Sequence, residues 1–95
     1  MTKEEIDKLL DDMAAEAATK GDDDLRPGLL YLNARLYGTE IRTETVSAKR
    51  GQRYRGVRVF VGREYETRVL TRKETADLEV GEFEDLTESI PNPTL

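Results

Sequence analysis

The stretch RYRGVRVFVGREYETRVLT, residues 53–71, decides the fold. It is rich in Val, Tyr, Phe and Thr, the side chains that suit a pleated surface. Residues 53–61 read as one strand, Gly62-Arg63 as a two-residue hairpin turn with glycine first, and residues 65–71 as the returning strand. On that return Tyr65, Thr67, Val69 and Thr71 share one side. Upstream, residues 41–47 are rich in Thr and Val, and Lys49-Arg50-Gly51-Gln52 supplies a turn into residue 53. Turns at this spacing predict an antiparallel meander. Downstream, Ala76, Leu78 and Val80 alternate as a short edge strand that Gly81 would end.

Moving towards the N-terminus, residues 29–37 carry two signals. Leu30, Leu32, Ala34 and Leu36 alternate with Tyr31, Asn33, Arg35 and Tyr37, a period of two that favours a strand. Pro27 before and Gly38 after are also the punctuation of a helix, which stays as the alternative. The first element is clearer. Thr2 and Glu5 have capping-box spacing, and Ile6, Leu9, Leu10, Met13, Ala14 and Ala17 form one helical stripe. Lys20 and Gly21 end it, which predicts a helix over about residues 3–20.

The expected architecture is therefore α+β. An N-terminal amphipathic helix packs on an antiparallel meander of three to five strands within a single domain, residues 1–83. Residues 84–95, with Pro91 and Pro93, read as an extended or disordered acidic tail. At 95 residues and 37% apolar content the chain supports one thin core. No apolar run reaches the roughly 20 residues that span a bilayer, and the N-terminus lacks the apolar core of a signal peptide. A cytoplasmic setting without membrane contact is the expectation.

Charge is distributed in blocks. Residues 1–41 hold 5 basic and 10 acidic side chains, residues 42–73 hold 10 basic and 3 acidic, and residues 74–95 hold 7 acidic and none basic. The net charge of −5 thus conceals a central block of +7 between ends of −5 and −7. Eight of the ten central cations are arginine, whose planar fork suits phosphate and carboxylate.

Catalytic chemistry has little to work with. With no cysteine and no histidine, nucleophilic dyads and imidazole or thiolate metal sites are excluded, and no cofactor is implied. The glycines at 51, 56 and 62 fall in hairpins rather than in a turn leading into a helix, so no phosphate cradle is indicated. Asp22-Asp23-Asp24 lacks the alternating ligands of a calcium loop, and Glu64 with Glu66 is the ordinary pattern of an exposed strand face. The expectation is a binding protein, not an enzyme.

Two binding readings follow. The first is a small acidic interaction module, an inhibitor, adaptor or phage-type accessory protein by analogy of size and charge. It would recognise a basic protein surface through Asp22, Asp23, Asp24, Glu79, Glu82, Glu84 and Asp85. The second is a single-stranded nucleic-acid binder whose sheet presents Arg53, Tyr54, Arg55, Arg58, Arg63, Tyr65 and Arg68, with Phe60 interleaved. In it the acidic tail acts as an internal competitor. A third use of the same charges is mutual neutralisation within one molecule. An exposed strand edge, or a face of Leu30, Leu32 and Leu36, would serve a homodimer.

Overall fold

A computed structural model describes residues 1–45 and 47–88. Helix α1 spans Lys3–Lys20. Thr2 and Glu5 close both halves of the capping box, and Gly21 ends the helix in the left-handed region at φ 63°. A single 3₁₀ turn, Asp23–Leu25, leads into β1 (Pro27–Asn33), which passes directly into the short helix α2 (Ala34–Thr39). Then come β2 (Glu44–Thr45), β3 (Gln52–Tyr54), β4 (Val57–Gly62), β5 (Arg68–Thr71) and a second 3₁₀ turn, Lys73–Thr75. The helix-on-sheet α+β architecture is as expected.

The sheet is mixed rather than an antiparallel meander. Its order is β2-β3-β4-β1-β5, with β1 parallel to β4 and antiparallel to β5. The hairpin expected at Gly62-Arg63 does not form, because β1 lies between the two strands it would have joined. Burial explains the insertion. Leu29, Leu30 and Leu32 are each fully buried, and a strand buried on both faces belongs at the centre of a sheet. Asn33 completes the arrangement at the end of β1. Its side-chain amide donates to the carbonyl of Tyr65 at 3.0 Å, and its backbone N–H donates to Thr67 Oγ1 at 3.2 Å. The link from β4 to β5 is thereby tied across the strand it passes over.

Other boundaries also differ from the sequence reading. Residues 53–61 are two strands, not one, because Arg55 (φ 52°) and Gly56 (φ 85°) form a tight turn that pairs Tyr54 with Val57. Both signals over residues 29–37 are real: the strand stops at Asn33, whose side chain accepts from the N–H of Arg35 and caps α2. Of residues 41–47 only Glu44 and Thr45 pair, and Val46 lies outside the described residues. Residues 76–80 form no edge strand. The chain turns there and buries Val80.

Alternation along the strands separates two faces. Leu30 and Leu32 of β1 join Val57 and Val59 of β4 in a core completed by Ile6, Leu10, Ile41 and Tyr54. Full burial of a leucine such as Leu10 contributes about 1.5–3 kcal/mol. The leucines expected as a dimer surface are thus interior, with Leu36 packed at their margin. Residues 83–88 adopt no regular secondary structure. Leu86 nonetheless packs on the core, and the Thr87 N–H donates to the Arg55 carbonyl at 2.9 Å. Gly56 permits this close pass, since a Cβ there would sit 2.6 Å from the Asp85 carbonyl oxygen. Isoleucine 90 and the two late prolines fall outside the described residues.

Candidate functional site: the helix-free face of the sheet

Strand register assigns the opposite face. Leu29 pairs with Arg58 and Leu70, and Tyr31 pairs with Phe60 and Arg68. These side chains point away from α1, because Leu30 and Leu32 between them point towards it. Part of this face is covered. Leu29 is fully buried, Gly28 packs directly against the backbone of Arg72, and Thr75 and Val80 are also buried. The remainder, from Phe60 across Tyr31 to Tyr65, is half-buried to exposed.

Three rings line up there. Tyr31 makes an edge-on contact with Phe60 at 6.1 Å between centroids and with Tyr65 at 4.9 Å. Tyr65 rests on Gly62, where a Cβ would come within 2.9 Å of its ring. Two guanidinium groups cover ring faces, Arg58 over Phe60 at 5.5 Å and Arg68 over Tyr31 at 5.0 Å. A shallow depression is lined by Tyr31, Glu64, Tyr65, Glu66 and Arg68. Among the described residues no carboxylate lies within ion-pair distance of Arg58, Arg63 or Arg68. Such a surface offers π-faces, planar cations and apolar area together, the set that holds unpaired bases and their phosphates.

Not every arginine of the central block reaches this surface. Arg53 is only 3% exposed; its Nε lies 3.1 Å from Glu84, and it donates to the Glu82 and Gly56 carbonyls at 2.8 and 3.0 Å. Burial holds its guanidinium below the ordinary value, Glu84 opposes that effect, and Arg50 and Arg58 add to it. Tyr54 is a core residue whose hydroxyl donates to Asp7 at 2.6 Å. Arg55 turns towards α1, where it pairs with Asp11 at 2.6 Å and Asp7 at 3.4 Å and donates to the Thr87 carbonyl. The structure therefore brings Tyr65 and Arg68 to the open face with Arg58 over Phe60; Arg53, the register partner of Arg58, is buried against residues 82–84 instead, and Tyr54 and Arg55 turn to the core and to α1. Tyr31 is the member that strand composition alone did not single out. Its signal was its position between Leu30 and Leu32, which places it opposite the core.

The acidic candidates divide similarly. Glu84 receives both Arg50 donors, at 2.8 and 2.6 Å, and is held below the ordinary carboxylate value by them. Asp23 pairs with Arg26 at 2.8 Å, and Asp22 accepts from the Asp24 N–H to start the 3₁₀ turn. Asp22, Asp24, Glu79, Glu82 and Asp85 are exposed and form no ion pair with a described residue. Among the described residues no three His, Cys, Asp or Glu side chains stand together as a metal site. Nor is any described helix long and apolar enough to cross a membrane. Comparison of the chain with protein-family models, with curated proteins and with solved structures finds no match to any of them.

Proposed function

We propose that the protein binds single-stranded nucleic acid on the helix-free face of its sheet, without catalysing a reaction. The observation that supports this reading is the row Phe60–Tyr31–Tyr65, covered by Arg58 and Arg68, which have no carboxylate partner among the described residues. Bases would stack on Tyr65 and on the guanidinium planes of Arg58 and Arg68, and phosphates would lie against the same arginines and Arg63. Sequence preference would be weak, since stacking accepts any base.

Fluorescence anisotropy with labelled homopolymer oligonucleotides tests this directly. Three phosphate contacts, each contributing about −0.7 to the slope of log affinity against log salt, give a slope near −2. Tyr65→Ala should weaken binding while leaving the melting temperature close to that of the native chain. Absence of binding even at low salt would end the proposal.

A second reading draws on different side chains. Asp22, Asp24, Glu79, Glu82 and Asp85 remain exposed and unpaired, which favours an acidic module that docks on a basic protein surface. Titration with polylysine separates the two: charge reversal at Glu79 and Glu82 would abolish that association and leave oligonucleotide binding intact.

A further inference from the structure

Four guanidinium groups converge on residues 81–84 at the covered end of the sheet, and among the described residues only the Glu84 carboxylate lies within ion-pair distance of any of them. Arg50 holds Glu84 through two hydrogen bonds, and buried Arg53 meets the same carboxylate at 3.1 Å. Arg72 donates to the Glu84 carbonyl at 3.2 Å. Arg58 reaches across to the Arg50 carbonyl at 3.3 Å, and Gly51 leaves room for its head group. The Nε atoms of Arg58 and Arg72 are buried without an acceptor among the described residues. Four cations, one of them buried, against a single carboxylate, together with two buried donors that lack an acceptor, call for more acceptor oxygens than Glu84 supplies.

We propose that this cradle is a binding site for a phosphate group, and that Glu84 occupies it as an internal stand-in for the ligand. A phosphate monoester carries up to two negative charges and three terminal oxygens against the single charge and two oxygens of Glu84. It would satisfy Arg50 and Arg53 as Glu84 does and offer a further oxygen to Arg58. A cleft bounded by Lys49, Arg50, Arg53, Gly81, Glu82 and Glu84 gives access from solvent. Ligand entry would displace the Glu84 side chain while the backbone clasp at Thr87 and Arg55 keeps the segment in place. Arg58 is shared with the Phe60–Tyr31–Tyr65 row, whereas Arg50, Arg53 and Glu84 belong to the cradle, so Glu84→Gln reads the cradle and Tyr65→Ala reads nucleic-acid binding at the row.

The test compares the native chain with Glu84→Gln in chloride and in millimolar inorganic phosphate at equal ionic strength. Phosphate also stabilises proteins generally by exclusion from their surface, an effect common to both chains. The variant should melt lower in chloride and be raised by phosphate roughly 4–8 °C more than the native chain. Equal shifts in the two would overturn the proposal and leave Glu84 as a structural clip. If the variant fails to fold in chloride, recovery of its circular dichroism in phosphate supports the site, and an unfolded chain in both buffers overturns it. Adding Arg50→Gln to Glu84→Gln should abolish the difference; full retention would place the phosphate elsewhere and overturn the assignment. A nucleoside monophosphate acting more strongly than inorganic phosphate would identify a nucleotide as the source, and equal action the free ion; either supports the cradle.

Discussion

Arg55 and Arg68 come from the same basic block, yet they meet opposite fates. Arg55 sits on the turn beside α1, clasped by Asp7, Asp11 and the Thr87 carbonyl. Arg68 stands on the far face of β5, over the Tyr31 ring and out of ion-pair reach of any described carboxylate. Arg55 holds the helix and the C-terminal segment to the sheet, and Arg68 has no described carboxylate to hold. The block therefore is not one electrostatic footprint. It divides into cations held by carboxylates, such as Arg50, Arg53 and Arg55, and cations out of ion-pair reach of any described carboxylate, such as Arg68.

The strongest way to break this distinction is at neighbouring residues of β1. Leu30→Ala opens the core and should cost about 2–5 kcal/mol in urea unfolding. A loss no greater than that of a surface substitution would mean that the two faces have been exchanged. On the open side, Tyr65→Ala should lower oligonucleotide affinity by about 5- to 150-fold, the equivalent of one base stacked at roughly 1–3 kcal/mol. Its stability should change by less than Leu30→Ala does.

The two arginines sharpen the comparison further. Arg55→Gln leaves Asp7 without a cationic partner on that side and loosens the bond to Thr87. We expect about 1–3 kcal/mol of destabilisation with no loss of oligonucleotide affinity. Arg68→Gln should do the reverse, with a several-fold loss of affinity at low salt and a change in stability within about 0.5 kcal/mol. Equal effects of both on stability would collapse the division into two sets.

The smallest expected effect concerns pH. Glu84 has its folded value lowered by hydrogen bonds from Arg50, so its contribution is fully present above the ordinary glutamate value of 4.5 and is lost as pH falls through the depressed folded value. For a partly exposed pair this amounts to at most about 1 kcal/mol. Urea midpoints of the native chain and Glu84→Gln should therefore differ at neutral pH and converge in acid. A difference that persists to the acid end of the titration, where Glu84 is protonated in the folded chain, would show that the side chain's contribution is not ionic.

Both faces were partly legible beforehand. The alternation of Leu30 and Leu32 with Tyr31 already separates a core side from an open side, whichever strands flank it. The fate of Arg53 was not legible, because its partner Glu84 is 31 positions away in sequence and the two meet only when the C-terminal segment folds back across the sheet. Still longer separations, 48 and 44 positions, hide Arg55 from Asp7 and Asp11. The Arg55-Gly56 turn was obscured because arginine at positive φ carries no local signature of the kind that Asn-Gly does.

What the chain determined by itself is local. Helix α1, with Thr2, Glu5 and Gly21 at its ends, follows from contacts three to five residues apart, and the segregation of charge is written in the order of residues. Tertiary structure alone decided that β1 enters between β4 and β5, making the sheet mixed, and which arginines are consumed by carboxylates. The reason is that strand pairing and ion pairing join residues far apart in sequence. Their choice of partner depends on which surfaces must be buried together, and β1, apolar on both faces, had only the centre of the sheet in which to bury them.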